Sequence, residues 1–327
     1  MNFQGNRPFL LTPIGKDYLW GGSRLNDDFG LELNCSPLAE AWMCSTHPAG
    51  NSYVGSAELK AVLEMHPEYL GTHALSLTGG KLELPILIKL IDASADLSVQ
   101  VHPDDEYALQ HESDLGKTEM WYVLDAQKGA ELICGFRQDT TVRQVKGSIN
   151  QGTITRLLNR VSVHKDDVFF IEPGTVHALT AGVLVAEVQQ SSDVTYRLYD
   201  YDRVDKNGNK RPLHIEKALE VAKLTSSAAP RQPMRVLKYK AGCASELLSR
   251  CKYFQVERML LNTEGRKLAE MQAGSNSFHV LLCVDGCGVL YGDDMMLPFF
   301  KGDCIFIPAD SIELKLHGRA QLLNVSC

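Results

Sequence analysis

The 327-residue chain has no apolar run near the ~18 residues a membrane helix needs, so no membrane partner is expected. It also lacks any stripe of Lys and Arg interleaved with aromatics. With 33 Lys+Arg against 40 Asp+Glu its formal charge is −7, which argues against nucleic acid as a partner. The opening MNFQGNRPFLLTP has no basic start followed by a long apolar stretch and a small-residue cleavage site, so no secretory leader is expected. C-x-x-C pairs are missing too. The nine cysteines (35, 44, 134, 243, 251, 283, 287, 304 and 327) are odd in number and irregular in spacing. That excludes a disulfide framework and points to a reducing cytoplasm. Cys283 and Cys287, in VLLCVDGCGV, have no second Cys/His pair at zinc-finger spacing and read as buried strand and turn residues. Short-period repeats and low-complexity tracts are absent, which removes solenoids, and nothing calls for an obligatory protein partner.

What is present is an ordinary globular composition, 44% hydrophobic and 22% charged, on a chain long enough for two domains. Short apolar runs rich in β-branched and aromatic residues recur: LPILIKLIDA, LSVQVH, EMWYVLDA, AELICGF, DVFFIEPG and GVLVAEVQQ. Each has strand rather than helix length. A short helix is expected over 107–112. A small helical insertion is expected over about 139–161, where apolar positions recur at helical spacing. A further helical segment, LHIEKALEVAKL, precedes SSAAPRQP, which has linker composition. Beyond it FQVERMLL, SFHVLLCVDGCGVLYG, GDCIFIPA and IELKLHG read as a second set of strands. The expected architecture is mainly β: a catalytic unit over 1–228, and a plainer unit over 229–327.

The two units share a phrase, HKDDVFFIEPGTVHAL in the first and FKGDCIFIPADSIEL in the second. Each is a turn acid, an apolar strand and a Pro-bearing turn, which resembles the second motif of cupin barrels. The place of His177 is taken by Ile312 or Glu313 in the second unit, which therefore offers no paired ligands.

Alternate residues of a strand share a face, so in LSVQVH Ser98, Gln100 and His102 point one way and Leu97, Val99 and Val101 the other. In GKTEMWYV, Lys117, Glu119 and Trp121 likewise share a face, and His177 follows a Pro-Gly turn. A barrel interior can gather these strands at one point. Two imidazoles and one carboxylate suit a divalent ion such as zinc, held in an open site of catalytic type. On spacing alone, each His is equally readable as a hydrogen-bonded or surface residue.

The strings LIKLIDASADLSVQVHPDDEYA, GKTEMWYVLDA, FFIEPGTVHAL and EVQQSSDVTYRLYDYDR together resemble type I mannose-6-phosphate isomerases in their shorter bacterial form. The resemblance implies two cupin-like jelly-roll barrels with a small helical insertion in the first, and one zinc ion per chain on Gln100, His102, Glu119 and His177. Gln100 is the weakest donor of that set. The implied reaction interconverts mannose 6-phosphate and fructose 6-phosphate through a cis-enediol. Lys89, Ser98 and Lys117 are then the candidates for the phosphate, with Arg203 as a cation at the rim. Arg197, a permanent cation, suits an enediolate. Asp193, Glu187 and Lys117 are the remaining candidates for catalysis, and strand parity sets Asp193 on the face of Arg197 as an ion pair. One departure is Leu179, where longer family members carry an aromatic. The alternative reading is a non-catalytic cupin that binds a sugar phosphate. His47, His111, His164 and His214 read as surface histidines, and Trp20, Glu40 and Trp42 are equally readable as residues bordering the pocket or as packing residues.

Overall fold

The computed structural model describes residues 5–204, 207–227, 235–265 and 267–327. Among them the chain is mainly β, and its strands pair antiparallel throughout the three large sheets. The first unit holds two of these sheets. A six-stranded sheet runs Val168–Ile171, Glu119–Ala126, Val183–Gln190, Ile86–Ala93, Glu40–Cys44, Ile14–Lys16. A five-stranded sheet runs Leu158–Ser162, Glu131–Phe136, His177–Leu179, Val99–Val101, Tyr196–Tyr199.

The continuous apolar run of the Ile86–Ala93 strand has a physical cause, since all its residues are buried. Ile86, Ile88 and Leu90 pack against Val280, Leu282 and Phe306 of the C-terminal sheet. Ile91 and Ala93 face the other way, into a core shared with Leu132, Cys134 and Leu179 of the five-stranded sheet. A strand covered on both faces cannot alternate apolar with polar. Each such Leu or Ile contributes about 1.5–3 kcal/mol by leaving water. Lys89 and Asp92 are therefore the exceptions in this strand, charges within a doubly buried sheet, and Asp92 pairs with Arg24 at 2.6 Å.

The outer face of the five-stranded sheet packs Val99, Val101 and Ile133 against Val145 and Ile149 of one helix and Ala218 and Leu219 of another. The first of these is Val142–Asn150, started by a capping box in which Thr141 and Gln144 satisfy each other's backbone amides. The insertion expected over 139–161 is thus helical only in part. After the single turn Ile154–Arg156 the chain forms the strand Leu158–Ser162, because its backbone completes the edge of the sheet beside Glu131–Phe136. The expected helix near 107 spans Asp105–His111, with Asp104 accepting from the Tyr107 amide at 2.9 Å. The LHIEKALEVAKL segment is helical over Ile215–Val221. Helices Leu59–Met65 and Thr72–Leu77 lie outside the strand-centred reading, although Leu59, Val62 and Leu63 show helical spacing and are buried.

The C-terminal sheet has nine strands, and the first of them comes from the other end of the chain: Phe9–Leu11 pairs with Cys304–Ile307. Its second face closes on Leu281, Cys283, Ile305 and Leu316. Cys283 is buried as expected, but Cys287 is exposed on the long strand His279–Gly292 rather than placed in a turn, because the strand runs on past the bulge at 283–285. The linker at SSAAPRQP, and with it the expected division between 228 and 229, falls largely on residues outside the described set. Polar contacts also join the two units. Tyr253 donates to Asp105 Oδ2 at 2.6 Å, and Arg258 and Gln321 donate to the Tyr122 hydroxyl at 3.1 and 2.6 Å.

Candidate metal centre and substrate cavity

Three strands bring His102, Glu119 and His177 together between the two sheets of the first unit. Their ligand atoms lie within 4.8 Å of one another, and all three side chains are at most 1% exposed. Among the described residues this is the one group of His, Cys, Asp and Glu side chains placed to share an ion. Nδ1 of His102 lies 2.7 Å from the Val194 carbonyl, and Nδ1 of His177 lies 2.8 Å from the Thr175 carbonyl. A carbonyl can only accept, so each Nδ1 carries the proton and each Nε2 presents its lone pair to the cluster.

The inward atoms fit a divalent ion. Nε2 of His102 lies 3.3 Å from Glu119 Oε1, and Nε2 of His177 lies 3.5 Å from Oε2. Tetrahedral ligands bound at about 2.0–2.1 Å are separated by roughly 3.3–3.4 Å. His177 Nε2 and Glu119 Oε2 have no hydrogen-bond partner although both are buried, a costly arrangement without a further group between them. Burial, followed by the Lys117 charge, lowers the His102 pKa, and burial pushes that of His177 down to about 4. Burial opposes ionisation of Glu119, yet the Lys117 ammonium beside it outweighs that cost and holds the carboxyl well below its usual range. The set is thus two neutral imidazoles and one carboxylate, the protonation a metal requires. Gln100 sits beside His177 in the strand register, and its Oε1 accepts from Ser98 Oγ at 3.3 Å.

Next to the cluster lies a cavity of about 250 Å³ whose wall includes Gln100, Lys117 and Glu187. Lys117 joins the two, since its Nζ is 2.6 Å from Glu119 Oε1. Lys89, 3% exposed, also lines the cavity, and its Nζ lies 3.6 Å from Glu40 Oε2 and 3.7 Å from Glu187 Oε2. Trp42 Nε1 donates to the same Glu40 oxygen at 2.7 Å. Burial works against the Lys89 charge, but Glu40 and Glu187 outweigh it and raise its pKa. Burial, then the Glu119 charge, lifts Glu187 to about 8.

At another part of the wall Arg197 donates through Nε to Ser98 Oγ at 3.2 Å and through Nη1 to the Pro212 carbonyl at 2.9 Å. The expected ion pair between Asp193 and Arg197 does not form. Asp193 precedes the strand Tyr196–Tyr199, so strand parity does not reach it, and it lies exposed at the cavity's edge. Arg203 is not part of the wall. It is held by Asp200, at 2.5 Å, and by the Asp96 carbonyl. Sequence reasoning missed Tyr18, Thr195 and Arg211, all of which line the cavity. Arg211 follows an irregular stretch with no periodicity to read. Trp20 and Glu40 do border the cavity, whereas Trp42 stands behind Glu40. His214 is half-buried rather than a surface residue, because its Nδ1 accepts from the Arg197 amide at 3.2 Å.

Comparison with known proteins identifies the family of the chain. The family described as "Phosphomannose isomerase type I, catalytic domain" matches residues 9–139, and "Mannose-6-phosphate isomerase, cupin domain" matches residues 245–327. A putative mannose-6-phosphate isomerase of Bacillus subtilis (YvyI) is 36% identical over 97% of this chain and 98% of its own length. The mannose-6-phosphate isomerase ManA of the same organism is 37% identical over the same shares. A crystal structure of the mannose 6-phosphate isomerase from Bacillus subtilis superposes with a TM-score of 0.87 at 34% identity, covering 98% of this chain and 99% of that one. A putative mannosephosphate isomerase from Archaeoglobus fulgidus, 20% identical, shares the fold with a TM-score of 0.73 over 97% of both chains. The chain belongs to the type I phosphomannose isomerase family and carries its cupin fold.

Proposed function

We propose that this chain interconverts D-mannose 6-phosphate and D-fructose 6-phosphate, using one zinc ion held by His102, Glu119 and His177 with Gln100 in support. The observation that carries the reading is the convergence of two lone-pair-bearing imidazole nitrogens and a carboxylate beside a cavity walled by both carboxylates and arginines. The chemistry such an ion supplies is Lewis acidity toward a carbonyl or hydroxyl oxygen of the open-chain sugar.

The chain's own residues account for the rest. Glu187 lines the cavity opposite Trp121 in the strand register and against Lys89, so it is placed to take the C2 proton and return it at C1 of a cis-enediol. Asp193 at the cavity edge is the second candidate for that transfer. Arg197, fixed by Ser98 and the Pro212 carbonyl, supplies a cation for the enediolate oxygens. Lys117 reaches from the Glu119 carboxylate into the cavity, where it can contact both the reacting end and the sugar. Ser98 offers a hydroxyl beside Arg197. Lys89 orients Glu187, and Arg203 acts through Asp200. In this reading residues 1–228 form the catalytic unit, apart from Phe9–Leu11 in the C-terminal sheet, and 229–327 form a supporting unit without ligands.

The test is a coupled assay of mannose 6-phosphate conversion by metal-loaded and chelator-treated protein, run in deuterated water. Turnover that disappears with the ion and returns with zinc is expected, with solvent deuterium entering at C1 of the fructose 6-phosphate formed. Failure of the metal-loaded protein to turn over mannose 6-phosphate overturns the reading.

A further inference from the structure

We propose that Arg211 is a substrate-binding residue that takes the phosphate of the sugar phosphate, with Arg197 between it and the reacting end; the proposal rests on the function just assigned. It begins with the way charge is distributed along the cavity wall. The Lys89 ammonium is held between Glu40 and Glu187. A phosphate dianion brought there would meet two carboxylates, one of them on the side chain proposed to move the proton.

The arginine part of the wall has the opposite character. Arg211 lies along Asp200 as a two-point fork, with Nε 2.8 Å from Oδ2 and Nη2 2.5 Å from Oδ1. Asp200 is 5% exposed and takes Arg203 on the same Oδ1 at 2.5 Å. One carboxylate thus serves two guanidiniums, and Arg197 stands beside them with no carboxylate of its own among the described residues. Three cations less one anion leave a formal charge of +2. Burial, then the charge of Arg211, lowers the Arg197 pKa, so the two guanidiniums repel each other across this wall. A phosphate ester carries about −1.5 to −2 at neutral pH and matches that surplus.

Geometry separates the roles within the cluster. Arg197 and Arg211 line the cavity; Arg203 does not. Arg203 gives its remaining donors to the Asp96 and Asp200 carbonyls, so it is a positioning residue that holds the Asp200 on which Arg211 rests. Arg211 has no hydrogen bond from Nη1 among the described residues, and the planar fork suits phosphate oxygens. A path of contacts leads from here to the metal ligands: Arg197 to Ser98, Ser98 to Gln100, and Gln100 beside His177. The substrate would therefore span the cavity, phosphate on Arg211 and carbonyl end toward Arg197, Lys117 and Glu187.

The experiment titrates the metal-loaded protein with inorganic phosphate by calorimetry and measures mannose 6-phosphate kinetics in parallel. In R211Q both the phosphate Kd and the KM are expected to rise about tenfold or more, the loss of roughly one charge-assisted contact, with kcat changed less and metal content unchanged. R211K keeps the charge without the fork and is expected to fall between R211Q and wild type. Unchanged phosphate affinity in R211Q overturns the proposal. Should R211Q fail to fold, unchanged affinity in R211K overturns it equally. A wild-type protein that binds no phosphate also overturns it. A wild-type protein that binds phosphate through Arg211 but does not isomerise mannose 6-phosphate overturns the assigned function and leaves the anion site standing.

Discussion

The ammonium of Lys89 lies 3.7 Å from Oε2 of Glu187, and both side chains are buried in the cavity wall on the middle strands of the six-stranded sheet. The two residues face each other across adjacent strands, and Glu40 Oε2 approaches the same ammonium from the third strand at 3.6 Å. One cation thus serves two buried acids, of which Glu187 holds its proton up to about pH 8.

Removing that cation strands the Glu40 carboxylate. K89M keeps the length of the side chain but leaves Glu40 without its cation, and breaking a buried pair from one side costs about 3–5 kcal/mol. Chemical denaturation should show a loss of that order. The double variant K89M/E40Q, with one carboxylate fewer to desolvate, should recover part of it. Equal stability of K89M and wild type would show that the charge is not the element holding this part of the sheet.

Much of this was legible in the sequence, because strand period is a local property. The alternation in LSVQVH and GKTEMWYV placed Ser98, Gln100, Lys117 and Glu119 on one side, and the structure keeps Val99, Val101, Met120 and Tyr122 in cores on the other. Long-range pairing was not legible in this way. Lys89 reads as a phosphate cation until Glu40, far away in the chain, is seen against it. Arg211 is visible only once Asp200 and the cavity wall are in place. Phe9–Leu11 is too short to show a period, so nothing local reveals that it completes the C-terminal sheet. The edge strand Leu158–Ser162 followed helical spacing, and tertiary pairing overrode the local signal.

The metal ligands should act as a unit. Glu119 approaches both imidazoles, so H102A or H177A removes one donor and leaves a carboxylate, one neutral ring and the weak amide donor Gln100, too little to retain an ion against a chelator. Elemental analysis after gel filtration should give about one ion per chain for the metal-loaded wild type and little for either variant, with turnover falling in proportion. Full metal content in H102A would remove His102 from the ligand set.

Arg197 should separate chemistry from metal binding. Its guanidinium contacts Ser98 and a backbone carbonyl, not the three ligands. R197A is therefore expected to keep its metal and to lose about 10²–10³ in kcat, the usual scale for deleting one stabiliser of developing charge. Loss of both metal and turnover would make the role of Arg197 structural.

Asp105 supplies a pH dependence away from the active site. Its carboxylate accepts from Tyr253 of the C-terminal unit at 2.6 Å, from Gln190 Nε2 at 2.9 Å and from the Gly116 amide at 3.0 Å. Burial would raise its pKa, but the Tyr253, Gln190 and Gly116 hydrogen bonds outweigh it and hold the group below its ordinary value of 3.8. A carboxyl depressed in the folded state binds its proton more readily in the unfolded state. Its contribution is therefore fully present above the unfolded value and is lost as pH falls through the lower folded value. D105N puts an amide donor where acceptors are needed and should cost about 1–3 kcal/mol at pH 7. Urea denaturation of both proteins from pH 7 down to pH 3 should show the gap shrinking only below about pH 4. A gap that stays constant across that range would mean that the ionised form of Asp105 does not hold the two units together.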